Sequence, residues 1–226
     1  MIAWLSSWMP NVVELADEFP ISLMQTLQML VITGVISFVF GLLFAIVLVV
    51  SKKGGILENR IIFFILDKII NLFRSIPFII LMALMVGVTR MLMHTSIGIA
   101  GALPSLIVGT TPFFARQIES ALAEVDNGVI EASQAMGLSP KEIILHVYLK
   151  ESIPGIARAA TITLISLVGL TAIAGAIGAG GLGDMAIRYG YNRYMYDVIY
   201  MVVIIILLLI TLIQSIGDFI VKRTTH

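Results

Sequence analysis

Residues 23–50 form an uninterrupted run of 28 without a charged side chain. A bilayer-spanning helix needs about 20 mostly apolar residues, so this run alone is long enough to cross a membrane. Three more charge-free runs follow, at 96–115, 159–183 and 198–217. Across the 226 residues, 59% are hydrophobic and 12% charged, with a mean hydropathy of +1.04. A soluble domain of this size has too little interior to bury so much apolar surface. The chain therefore reads as an all-α, polytopic integral membrane protein with one domain.

Residues 57–91 admit two readings. Residues 75–89 are apolar but few, and Arg60, Asp67, Asn71 and Arg74 recur at helical spacing just before them. Either a surface helix leads into a short span, or one long tilted helix covers about 61–90 with a polar half facing protein or water. The long tilted helix is the favoured reading. Both cross once, giving five transmembrane helices at about 23–50, 61–90, 96–116, 157–182 and 197–220.

Lys and Arg concentrate on the cytoplasmic side of membrane proteins. Lys52, Lys53, Arg60, Arg116, Lys141, Lys150, Arg158, Lys222 and Arg223 share one side if the N-terminus is outside, leaving Arg90, Arg188 and Arg193 opposite. The expected arrangement is an outside N-terminus and a cytoplasmic C-terminus, with 222–226 as a cytoplasmic tail. Tyr189, Tyr191, Tyr194, Tyr196 and Tyr200 would contribute to an outer aromatic belt. Residues 1–22 contain no Lys or Arg, so they do not read as a cleavable signal. With Trp4, Trp8, Glu14, Asp17 and Glu18 they read as an extracytoplasmic interfacial leader.

Several functions are disfavoured. Fourteen basic and fourteen acidic residues leave no basic footprint for nucleic acid. There is no Cys, and His94, His146 and His226 lack metal-ligand spacing, so no metal site is expected. The four charge-free spans carry none of the intramembrane charges usual in ion-coupled carriers. They carry small residues instead: Ser37, Gly41 and Ala45 in the first, and Gly169, Ala172, Ala174, Gly175, Ala176 and Gly178 in the fourth, suited to close helix packing or to a pathway. Thr110, Thr111, Thr161, Thr163, Ser166 and Thr171 are mildly polar positions within spans, though hydroxyls of this kind often bond their own helix. The substrate-binding residues are not identified by these patterns.

The polar stretch 117–156 is too long for an idle connection. Asp126, Asn127 and Gly128 form a turn or N-cap, a helix runs to about Met136, and Gly137 suits its left-handed end. Ser139, Pro140 and Glu142 then start a second helix as cap, first residue and capping-box partner. Such a helix–glycine–helix unit either docks into a groove on a partner or packs back on its own bundle.

Glu131-Ala-Ser-Gln-Ala-Met-Gly137 with Ile153-Pro154 resembles the EAA loop of bacterial ABC importer permeases. Ser133 stands where the consensus has its second Ala. Asn71–Leu81, Thr95–Gly98, Pro112–Arg116, Thr161–Ile165 and Gly178–Gly183 are similar to strings of the methionine-importer permease subgroup. The likeness covers roughly Thr26 to Gly217. Leu149-Lys150-Glu151 departs from the expected Leu-Pro-Glu, and Lys there lets the loop helix extend.

The resemblance implies the type I ABC importer permease fold and translocation of methionine across the cytoplasmic membrane. Another small amino acid, or a non-transporting membrane scaffold, is the alternative. It implies a second copy of the chain, two ATP-binding-cassette ATPase subunits and an extracytoplasmic substrate-binding protein as partners. The coupling loop would comprise Glu131, Ala132, Ser133, Ala135, Gly137, Leu138, Ser139, Pro140 and Pro154. The chain has no phosphate-loop motif, so no cofactor and no catalytic residue is expected in it; ATP would bind the partner ATPase. Gly178 to Gly183 lacks the lysine of such a motif and reads as a turn after the fourth span at the outer face.

Overall fold

The computed structural model describes residues 8–225; Trp4 of the expected leader and His226 lie outside the described residues. No strand occurs among them. The helices are α1 (Pro10–Glu14), α2 (Glu18–Ser51), α3 (Arg60–Ser75), α4 (Phe78–Met93), α5 (Gly98–Ala123), α6 (Asn127–Ala135), α7 (Pro140–Glu142), α8 (Leu149–Glu151), α9 (Ile153–Ala174), α10 (Gly181–Met185) and α11 (Tyr196–Thr224). Wider π-helical turns occupy Ile143–Tyr148 and Ala186–Tyr191, and the chain kinks within Gly175–Ala179 at Ile177 and Gly178. Glu18–Ser51, Gly98–Ala123, Ile153–Ala179 and Tyr196–Thr224 are each long and apolar enough to cross a membrane.

A fifth crossing requires α3 and α4 together, and they form a sharply bent pair. The single helix expected over 61–90 is broken. Pro77 disfavours helical backbone at the residue before it, and Ile76 is extended at φ −83°, ψ 122°. Asn59 caps α3, its side chain accepting from the Ile61 and Ile62 amides at 3.1 Å each.

The chain divides into two compact units. One comprises 36–76, 108–163 and the C-terminal stretch from Gln214. Its core joins Ala45, Val49, Phe114, Ile118 and Leu122 to Ile130, Ile143, Val147 and Tyr148. The small-residue stripe packs here. Ser37 Oγ accepts from Thr111 Oγ1 at 3.2 Å, and a Cβ on Gly41 would lie 2.9 Å from Phe114 Cβ. The Phe38 and Phe114 rings meet edge to face at 5.4 Å. Leu48, Ile70 and Ala115 hold α3 on its neighbours.

The other unit comprises the described residues up to Val35, with 77–107 and 164–213. Asn11 donates from its backbone N and Nδ2 to the Asp197 carboxylate at 3.0 and 2.9 Å. Phe19, Leu182, Met185, Tyr189, Val198 and Val202 form one core, and Met29, Ala102, Leu106 and Leu167 lie in a second. Tyr191, Tyr194, Tyr196 and Tyr200 are exposed, as an aromatic belt requires. Tyr189 is instead buried, its ring flanked by Arg188 and Arg193 at 4.6 and 4.8 Å.

Within this unit the glycine-rich segment 178–183 starts exposed at Gly178 and is buried from Gly181 to Gly183. Gly178, Gly180 and Gly181 have φ of 101°, 83° and 82°, and Gly181 and Gly183 are buried. The first amides of α10 have no partners in their own helix. The Gly181 amide donates to Gln25 Oε1 at 2.7 Å and the Leu182 amide to Thr26 Oγ1 at 2.9 Å. The expected turn after the fourth span is thus packed at Gly181 to Gly183, where two polar residues of α2 cap α10.

Candidate functional site

Each half of the loop that contains Gly137 is built from its own sequence. Asp126 caps α6, its Oδ1 accepting from the Gly128 amide at 2.7 Å. Ile130 and Ser133 point inward, and Ser133 Oγ bonds back to the Val129 carbonyl at 2.7 Å. A small hydroxyl residue is therefore accommodated where the consensus has Ala. Glu131, Ala132, Ala135 and Met136 lie on the exposed side of the same helix.

The helix ends in a paired arrangement that satisfies its last carbonyls. The Gly137 amide donates to the Gln134 carbonyl at 2.9 Å, and the Leu138 amide to the Ser133 carbonyl at 3.1 Å. Gly137 has φ +81°, and a Cβ built on it would meet nothing within 4 Å. Its requirement is conformational, because the left-handed region costs any other L-residue roughly 1–2 kcal/mol. Leu138 packs against the core that contains Ile130 and Ile143.

Ser139 and Glu142 complete the expected capping box. Ser139 N donates to Glu142 Oε2 at 2.8 Å, and the Glu142 amide donates to Ser139 Oγ at 3.4 Å. Pro140 takes the first helical position. Hydrogen bonds from the Ser139 hydroxyl and amide hold the Glu142 carboxyl below its ordinary pKa. Ile143, Val147 and Tyr148 then bury the inner face of the second half. Burying each large apolar side chain in this polar loop stabilises it by roughly 1.5–3 kcal/mol.

Helical structure continues past Lys150 to Glu151. Ser152 ends it, with Oγ donating to the Ala121 carbonyl at 3.2 Å. Pro154 falls in the first turn of α9. It lines a cavity of about 310 Å³ together with Asp126 and Val129 from the start of α6.

The structure thus brings Glu131, Ala132, Ala135 and Met136 to one exposed surface, turns Ser133 inward, and sets Pro154 at the root of the loop. Lys52, Lys53, Glu131 and Gln134 border a polar cavity of about 370 Å³ beside α6. One support escaped the sequence reading. Arg116 pairs with Asp67 of α3 and, at 2.6 Å, with Glu119, while Asp67 also accepts from Asn71 Nδ2 at 3.2 Å. The signal was the polar stripe Arg60, Asp67, Asn71 and Arg74, but its partner lay about fifty residues away. Among the described residues no group of three or more His, Asp or Glu is arranged to hold a metal. The exposed side of α6 thus carries small and apolar residues around one carboxylate, Glu131.

Residues 37–226 match the family described as binding-protein-dependent transport system inner membrane component. The chain is 44% identical over 202 residues to the Probable D-methionine transport system permease protein MetI of Vibrio cholerae, covering 89% of this chain and 90% of that one. It is 43% identical to the methionine import system permease protein MetP of Bacillus subtilis, covering 76% and 78%. A solved structure described as an inward-facing conformation of the MetNI methionine ABC transporter superposes with TM-score 0.92 at 43% identity, covering 94% of this chain and 99% of that one.

Proposed function

This chain belongs to the family of binding-protein-dependent transport system inner membrane components, and from that premise we propose that it is the membrane-spanning subunit of an ATP-driven methionine importer. The observation that carries the substrate is the superposition on MetNI over 94% of the chain. ATP is bound and hydrolysed by a separate ATPase subunit. Two copies of the chain assemble with two such subunits, and an extracytoplasmic binding protein delivers methionine.

In this reading, residues 1–22 form the outer leader, five spans occupy 23–221, and 117–156 and 222–226 are cytoplasmic. The exposed side of α6 is the coupling surface. Ala132 and Ala135 permit close approach, Glu131 meets a cation of the ATPase, and Met136 supplies an adaptable apolar contact. Gly137, Leu138, Ser139 and Pro140 keep the two loop halves at a fixed angle, and Pro154 starts the helix that carries the motion into the membrane. ATP binding shifts the permease between inward- and outward-facing states because the ATPase holds α6 differently in its two forms; only differential binding shifts an equilibrium.

The test is reconstitution with the ATPase and binding protein in proteoliposomes, following labelled methionine with and without ATP on the ATPase side. Accumulation that requires ATP and is competed by unlabelled methionine is the expected result. Uptake of a different amino acid alone would replace the substrate and keep the mechanism. Failure to form any complex with an ATPase would overturn the coupling role.

A further inference from the structure

A cavity of about 230 Å³ opens in the unit that contains α4 and the first part of α5. It has room for several waters, and so for a small solute. Ile79, Met82, Val86 and Ile177 give it an apolar wall, and Thr89, Ser96 and Ser105 bring hydroxyls.

Three observations mark it as more than a packing gap. Thr89 is only 1% exposed, yet its Oγ1 has no hydrogen-bond partner. A buried hydroxyl left unpaired is costly, so its persistence in a cavity wall calls for a transient partner. Next, Arg90 makes no ion pair among the described residues, and its Nε donates to Ser96 Oγ, a lining group, at 3.3 Å. A guanidinium is well shaped to receive a carboxylate. Lastly, Ile177 comes from the break after α9, where Ile177 and Gly178 leave helical geometry. Ile177 falls within the candidate span Ile153–Ala179, and irregular backbone inside a span is tolerated where it lines a cavity.

We propose that this cavity is a methionine-binding station on the import path, with Arg90 receiving the carboxylate, the Thr89 hydroxyl meeting the polar end and the wall around Met82 taking the thioether chain. The inference rests on the importer reading. A thioether is soft and polarisable and packs well on Met and aliphatic groups. A lipid chain would use the apolar wall but would gain nothing from the hydroxyl or the guanidinium.

The experiment uses the reconstituted complete transporter. Wild-type methionine uptake is measured first, so that failure of the importer reading appears separately. The absence of native Cys makes single-cysteine labelling clean. Ala83, which lines the cavity, is changed to Cys, and Leu84, 69% exposed and not among the lining residues, supplies the control variant Leu84→Cys. During ATP turnover, methionine slows thiol labelling of Ala83→Cys at least about threefold, glutamate does not, and Leu84→Cys is unaffected.

Thr89→Val, nearly isosteric, raises the uptake KM about fivefold, the effect of one lost hydrogen bond. A purely structural Thr89 would make the same variant neutral or more stable, because it removes an unpaired hydroxyl. In a transporter that still imports methionine, labelling of Ala83→Cys indifferent to methionine, together with an unchanged KM in Thr89→Val, overturns the station. Labelling that is slow in lipid in every condition and becomes fast in detergent assigns the cavity to lipid and overturns it as well.

Discussion

Two glycine turns in this molecule look alike in sequence and are built on opposite principles. At Gly137 the backbone is left-handed in open space, and a Cβ there would touch nothing within 4 Å. At Gly180 to Gly183 the chain is packed against its neighbours: a Cβ on Gly180 would lie 2.7 Å from Gln25 Oε1, one on Gly181 2.7 Å from Thr26 Oγ1, and one on Gly183 would overlap the Ala172 backbone. The first turn needs glycine for its dihedral angles, the second chiefly for its volume. The turn at Gly137 is closed by hydrogen bonds to its own helix, at Gln134 and Ser133, while the other turn exists only within its unit.

The largest effect is expected from Gly183→Ala. The added methyl meets backbone rather than a flexible side chain, so about 3 kcal/mol or more of overpacking strain follows. The check is the thermal midpoint and yield of the purified permease; a midpoint equal to wild type would erase the distinction between the turns. Next is Thr26→Val, which leaves the buried Leu182 amide without its acceptor and costs about 1–3 kcal/mol. Chemical denaturation in mild detergent would read it.

Gly137→Val costs roughly 1–2 kcal/mol of local strain, and membrane insertion stays intact. ATP-driven uptake is lost, because the angle between α6 and the second loop helix changes. Gly137→Asn, which tolerates the left-handed region better, retains most uptake. Normal transport by the Val variant would remove the lever role.

Ser139→Ala is the mildest, losing about 1 kcal/mol of cap stability, and speeds hydrogen exchange at the α7 amides. The linked pH effect has a definite sign. The Glu142 pKa is lowered in the folded loop, so its contribution is complete above the unfolded value of about 4.3 and is lost as pH falls through the lower folded value. Exchange protection around Glu142 is therefore flat near neutrality and drops only in acid. A drop in protection close to neutrality would refute the assignment.

The span content, the helical class and the loop chemistry around Asp126, Gly137 and Ser139 were readable because each rests on residues within a few positions of one another. Apolar run length sets what can cross a bilayer, and caps are satisfied by side chains two or three residues away. The break at Ile76–Pro77 follows from the backbone restriction before proline, but the helical spacing of Arg60, Asp67, Asn71 and Arg74 ahead of a short apolar run favoured one long tilted helix. Partners distant in sequence were not readable: Thr26 with Leu182 and Asp67 with Arg116 are fixed by how helices approach.

The sequence by itself determined that this chain lives in a membrane and presents a capped, glycine-hinged loop, since burial of apolar length and local hydrogen-bond satisfaction are short-range demands. The tertiary structure alone decided that the second glycine turn is buried from Gly181 to Gly183, that α2 caps α10, and that the Thr89 hydroxyl faces a cavity unpaired. Those outcomes depend on side chains brought together from remote positions, where volume and hydrogen-bond satisfaction are settled only when the helices pack.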